Sequence, residues 1–189
     1  MREMFNVSEK YKYIWWAPER TGSRKVSPIL NYFGFTHQDK ELFNGTMPYY
    51  THHCLTNDQY KDYKLICNTR NPYSRVYSLF KNFYHQSTDK GIESFRDYLK
   101  FKLPKGELLE LVLRPKLVRH PDYVIRLEYM KEDLSKLPFI YDVLTDKQLD
   151  YLTEHGKGID AWEEFYDQEM KDIVYNLLKD HFDFFGYEK

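Results

Sequence analysis

Only two cysteines, Cys54 and Cys67, occur in 189 residues, too few for a disulfide framework. Without a C-x-x-C pair they offer no zinc spacing either, and no metal is expected. No apolar run approaches the roughly 20 residues of a membrane-crossing helix, and the opening Met-Arg-Glu-Met-Phe-Asn lacks the apolar core of a secretory signal. The expectation is a soluble, cytoplasmic protein with no membrane partner. An excess of one charge is also missing: 28 basic against 29 acidic residues give a net charge of −1. That balance argues against non-specific nucleic-acid binding as the main task, so any anion site must be a local gathering of cations. Internal repeats and low-complexity linkers are absent, and a single domain over residues 1–189 is expected. What the chain does have is aromatic residues, 18 tyrosines and 13 phenylalanines, with 42% apolar and 30% charged residues. This composition belongs to a globular protein whose core and clefts are built largely from rings.

The stretch from Tyr13 to Leu30 organises the rest. Residues 13–17, Tyr-Ile-Trp-Trp-Ala, read as a short buried strand that Pro18 ends, because proline has no N–H to give the ladder. Arg20, Thr21, Gly22, Ser23, Arg24 and Lys25 follow, and then Val26, Ile29 and Leu30 at helical spacing, with Ser23 as the expected N-cap. Pro28 should kink that helix or delay its start. Strand, tight turn and helix start aim backbone N–H groups and the positive end of a helix at one spot. Gly22 permits close backbone approach, and three cations within six residues favour an anion. This is the pattern of a phosphate cradle, although G-x-x-x-x-G-K-[ST] is not present.

Further along, residues 34–48 read as a loop, Tyr49–Leu55 as a strand carrying His52 and His53, and Tyr63–Asn68 as another strand. From Pro72 the period changes: Tyr73, Val76, Tyr77, Phe80 and Tyr84 form one helical stripe. Helices are expected over 92–101 and 105–113, a strand over 123–127, helices after Tyr129 and over 146–154, and a long one over 162–182. Strands alternating with helices predict an α/β layer fold with a parallel sheet. Ligands of such sheets sit at the carboxyl ends of the strands, where Arg20 and Arg70 fall. Arg70 precedes its helix and Ser78 lies inside it, so both can address one phosphate; the plainer alternative has Arg70 capping a sheet edge and Ser78 facing solvent.

The segment Thr69-Arg70-Asn71-Pro72-Tyr73-Ser74-Arg75-Val76-Tyr77-Ser78 resembles the 3′-phosphate-binding segment of sulfotransferases, R-[DN]-P-x-[DE]-R-x-x-S, and Pro18–Ser23 resembles their 5′-phosphosulfate loop. Val124–Tyr129 looks like the strand that follows in the family, and His181–Tyr187 like the ending of its carbohydrate branch. The resemblance implies a P-loop NTPase-like three-layer fold, a central parallel β-sheet flanked by helices. It also implies transfer of a sulfuryl group from 3′-phosphoadenosine 5′-phosphosulfate to a hydroxyl acceptor, in line, leaving adenosine 3′,5′-bisphosphate. By the same resemblance Arg20 contacts the transferring group, Thr21, Gly22, Ser23, Arg24 and Lys25 hold the 5′-phosphate, and Arg70 and Ser78 hold the 3′-phosphate. The loop cation is Arg where many members have Lys, and Ser74 stands where an acidic residue is frequent.

The acceptor hydroxyl needs a base near neutrality, and His52 and His53, between the two phosphate segments, are the best placed of seven histidines. Neighbours on a strand point to opposite faces, so at most one serves, with His53 preferred and Glu128 in reserve. The carbohydrate-type ending points to a glycan or other hydroxyl compound as acceptor. Two other readings stay open: an ATP-dependent small-molecule kinase, which would want a Walker lysine and a strand-end aspartate for magnesium, and a noncatalytic nucleotide-binding module.

Overall fold

A four-residue turn, Glu9–Lys12, joins β1 (Met4–Ser8) to β2 (Tyr13–Ala17), and so short a connection can only make the pair antiparallel. The structure, a computed structural model, describes residues 4–37, 58–83, 91–105, 120–154 and 161–189. They fall into two compact units, the first made of Met1–Thr69 with Pro115–Lys157 and the second of Arg70–Arg114 with Gly158–Lys189.

The first unit holds a five-stranded sheet in the order β3-β1-β2-β4-β5, with β3 at Thr36–His37, β4 at Lys64–Thr69 and β5 at Tyr123–Arg126. β2, β4 and β5 run parallel, as the alternation of strands and helices requires. The expected wholly parallel sheet is corrected at its other side, where β1 pairs antiparallel with both β2 and β3. The physical reason lies in the Glu9–Lys12 turn, since a parallel partner for β2 would need a crossover of a dozen residues or more. The sheet is therefore mixed, within an α/β fold.

β1 itself gave no signal in the sequence, and the fold shows why. Asn6, Val7 and Ser8 are all buried, so the strand places polar side chains where alternation would demand apolar ones. Its turn is fixed to the next strand: Lys12 Nζ donates to the Tyr63 hydroxyl at 2.9 Å, and the Lys64 N–H donates to the Lys12 carbonyl at 3.0 Å. Asp122 pins β5 to β4 in the same way, its carboxylate accepting from the Leu65 N–H at 2.7 Å.

The helix α1 (Ser23–Tyr32) covers one face of this sheet. Val26, Ile29 and Leu30 pack with Trp15 of β2, Ile66 of β4 and Ile125 of β5. Met130 and Leu134 from α4 (Met130–Leu134), Phe139 and Ile140 from α5 (Pro138–Tyr141) and Leu149 from α6 (Asp146–Glu154) complete that core. Pro28 neither kinks α1 nor delays it. The carbonyl it leaves without an intrahelical donor is that of Arg24, and both residues lie on the exposed side, where water can serve. Gly34, with φ 76°, turns the chain after the helix.

The second unit is helical: α2 (Pro72–Phe83), α3 (Ile92–Asp97) running into a π turn at Tyr98–Lys102, and α7 (Gln168–Phe185). Tyr73, Val76, Tyr77 and Phe80, the predicted stripe, pack with Phe95, Tyr98, Met170, Val174 and Phe182. The expected helix over 162–182 is two pieces. A 3₁₀ turn at Glu163–Phe165 precedes α7, because the Asp167 carboxylate accepts from the Met170 N–H at 2.8 Å and caps a new start. Gly186, with φ 69°, ends α7, and the Tyr187 N–H returns to the Phe182 carbonyl at 3.0 Å. No described helix is long and apolar enough to cross a membrane. The expected strand at 49–55, with His52 and His53, and all of the expected helix at 105–113 but Lys105 lie outside the described residues.

Candidate functional site

Two basic segments carry the sequence argument, one in each unit. In the first unit β2 ends at Ala17, and the next five residues form a tight loop into α1. Thr21, fully buried, closes that loop on itself: its hydroxyl donates to the Pro18 carbonyl at 2.5 Å and its N–H to the same oxygen at 3.3 Å. Both Thr21 donors are thus used inside the loop, which the residue braces. The Thr21 carbonyl is tied down in turn by the Asn68 amide at 3.4 Å, and the Trp15 indole N–H holds that amide's oxygen at 2.8 Å. A trans peptide points its C=O and N–H in opposite directions, and no cis bond occurs among the described residues. The Gly22 N–H is therefore aimed away from Asn68 and out of the loop's anchored side.

Gly22 is the N-cap of α1, where Ser23 was expected; it sits in the left-handed region at φ 86°, ψ 21°. A side chain there would also collide, since a Cβ would lie 2.5 Å from Leu127 Cδ1. The open side of this glycine is filled by a residue of the 124–129 segment, not kept for a ligand. Gly22→Ala should cost about 1–2 kcal/mol in urea unfolding, from the left-handed backbone and the collision together. Adding Leu127→Ala should recover only the collision; full recovery would mean the backbone carries no strain. Arg20 is left-handed too, at φ 63°, an uncommon conformation for a residue with a Cβ. Arg24 is exposed, while Arg20, Ser23 and Lys25 are half-buried.

The 126–129 segment is held by a part-buried ion pair that the sequence did not reveal. The Arg126 guanidinium makes two parallel bonds to Asp133, Nε and Nη2 each at 2.8 Å, and the Arg126 N–H adds a third at 3.0 Å. Lys136 Nζ reaches the same carboxylate at 2.7 Å. Burial alone would push the Asp133 carboxyl up, but the donors from Arg126 and Lys136 outweigh it and hold the group below the usual aspartate range. Arg126 also lies over the Tyr129 ring at 4.6 Å. Four donors on one carboxylate explain why this strand end keeps its shape, and with it Leu127 against Gly22 and the half-buried Glu128.

In the second unit Asn71 starts α2. Its side-chain oxygen accepts from the Tyr73 N–H at 3.0 Å and the Ser74 N–H at 3.3 Å, and Pro72 occupies the first turn, where no N–H is needed. Arg70 is buried, 6% exposed, and its Nε donates to Ser74 Oγ at 2.8 Å, which fixes the plane of the guanidinium. Ser74 and Ser78 are one turn apart on α2, and both are buried. The alternative in which Ser78 faces solvent is therefore corrected: the position is 1% exposed. Sequence reasoning gave Ser74 no role; its bond to Arg70 is the signal it lacked.

The charge around these helix starts is uneven. α1, α2 and the short α5 have no acidic residue in the first turn, whereas α3, α4, α6 and α7 each have at least one. Acidic side chains there would neutralise the positive helix end. No first-turn carboxylate therefore competes for the start of α1, whereas at α2 the Asn71 side chain already takes the Tyr73 and Ser74 N–H groups. Among the described residues no cluster of His, Cys, Asp and Glu side chains suits a metal ion. No protein-family model, curated protein or solved structure matches this chain.

Proposed function

We propose that this chain is a sulfotransferase that takes a sulfuryl group from 3′-phosphoadenosine 5′-phosphosulfate and passes it to a hydroxyl acceptor, a carbohydrate or small molecule. The observation that carries the reading is the pair of strand–loop–helix units. β2 and β4 are parallel neighbours, so their carboxyl ends share one sheet edge. Each leads through a loop with one arginine, Arg20 or Arg70, into a helix whose first turn is free of acid. The finer fold expectation, a P-loop NTPase-like three-layer arrangement, is part of the same proposal.

The donor set fits a doubly phosphorylated nucleotide. Ser23, Arg24, Lys25 and the outward Gly22 N–H are the groups assigned to the 5′-phosphate, and Arg70, oriented by Ser74, with Ser78, those assigned to the 3′-phosphate. Thr21 contributes by fixing the loop. When bound, the nucleotide would supply the sulfuryl group, whose transfer spreads negative charge over equatorial oxygens. Arg20 is the cation assigned to that charge; guanidinium keeps its proton throughout, so it stabilises without acting as an acid. His53, or His52, is the assigned base for the acceptor hydroxyl, with Glu128 in reserve.

Calorimetry separates the classes. Adenosine 3′,5′-bisphosphate should bind at least about tenfold more tightly than magnesium ATP, because the latter lacks the 3′-phosphate that Arg70 would pair. The reverse order would support the kinase reading. Tight bisphosphate binding with no sulfuryl transfer to any of a panel of saccharides and phenols would support a noncatalytic module.

A further inference from the structure

A cavity lies in the first unit, between the carboxyl-terminal half of α1 and the helix α6, with a volume of about 460 Å³. That is within the range of small-molecule sites, about 300–1,000 Å³. Its lining residues on α1 begin at Pro28, five residues and so about 7.5 Å along the helix from its start at Ser23. It is therefore distinct from the loop assigned above, and nothing about it depends on the sulfotransferase reading.

The lining has a definite chemistry. Phe33 and Leu144 form apolar walls, and Tyr32 and Tyr151 flank them while remaining 75% and 63% exposed. Tyr32 meets Phe33 edge-on with ring centroids 5.2 Å apart, which leaves a stepped aromatic surface. On α6 the charges are sorted by face. Asp146 and Asp150 are one turn apart on one face, and Asp150 is ion-paired with Lys131. Lys147 and Tyr151, likewise one turn apart, line the cavity with Gln148. The Gln148 side-chain oxygen is engaged by the Thr145 N–H and hydroxyl, each at 2.9 Å, so its outward end is the NH₂ donor. A ring-lined cavity with one ammonium, one amide donor and two tyrosine hydroxyls, and no acidic residue in its lining, is complementary to an anionic head on a hydrophobic body.

We propose that this cavity binds a small aromatic or aliphatic carboxylate or sulfonate, its ring or chain between Tyr32 and Tyr151 and its anion at Lys147. The probe is 8-anilinonaphthalene-1-sulfonate, with N-phenyl-1-naphthylamine, the same rings without the charge, as its neutral counterpart. Fluorescence titration of the full chain should show one saturable sulfonate site. Lys147→Glu, at an exposed position, should weaken the sulfonate about tenfold and change the neutral probe less than twofold. Tyr151→Ala should weaken both. The proposal is overturned if the sulfonate does not saturate at one per chain, if Lys147→Glu affects both probes alike or neither, or if sedimentation shows that self-association of the chain closes the cavity at the titration concentration.

Discussion

Replacing Arg70 by alanine should reduce the affinity for adenosine 3′,5′-bisphosphate on the order of 100-fold, as read by calorimetry. The estimate rests on what a buried guanidinium does. Arg70 is oriented by its Nε bond to Ser74, and charge-assisted bonds to a phosphate contribute about 1.5–3 kcal/mol. Arg70→Lys keeps the charge but loses the planar fork and the geometry toward Ser74, and should retain only part of the affinity, on the order of a tenfold loss. Ser74→Ala leaves the cation and removes what aims it, so its loss should be smaller than that of Arg70→Lys. Near wild-type affinity in Arg70→Ala, with the variant folded by circular dichroism, would remove Arg70 from any phosphate site.

Asp133→Ala should lower the stability of the chain by about 3 kcal/mol in urea unfolding. Removing one partner of a buried ion pair leaves the other charge unmatched, and such changes cost about 3–5 kcal/mol. Arg126 is partly exposed and can regain some water, which places the estimate at the low end. The pH dependence follows from the lowered carboxyl. A group depressed in the folded state lends its full stability above its ordinary value, 3.8 for aspartate, and loses it as the pH falls through the folded value. The gap between wild type and Asp133→Ala should therefore hold steady above about pH 4 and shrink below it. A gap that stays constant down to pH 2 would show that packing, not charge, carries the effect.

Much of this architecture was readable from local pattern. β2, α1, α2 and α6 follow from a period that switches between strand and helix, and from Pro72 placed where a helix start tolerates it. The antiparallel edge was not readable, because Asn6 and Ser8 interrupt alternation with buried polar groups. Composition of the loop at 18–25 pointed to a cradle, yet the sequence could not assign its parts. Whether Thr21 faces a ligand or the loop depends on where the Pro18 carbonyl lies, and the need for glycine at 22 depends on Leu127, over a hundred residues away. Asp133 was overlooked for the same reason, since seven residues separate it from Arg126 and only the fold brings the carboxylate to the strand end. The His181–Tyr187 ending, read as a family signature, is also a well-formed helix terminus around Gly186.

The first unit is discontinuous along the chain: its sheet is not complete until Tyr123–Arg126 has been added beside β4. As the polypeptide leaves the ribosome, β4 will have emerged more than fifty residues before its parallel neighbour, with one ladder edge unpaired and Ile66 uncovered on that side. Late, non-local closure of this kind slows folding and exposes an adhesive edge. Biogenesis of this protein should therefore draw on chaperones during the synthesis of residues 70–122, and products of premature termination in that interval should be insoluble.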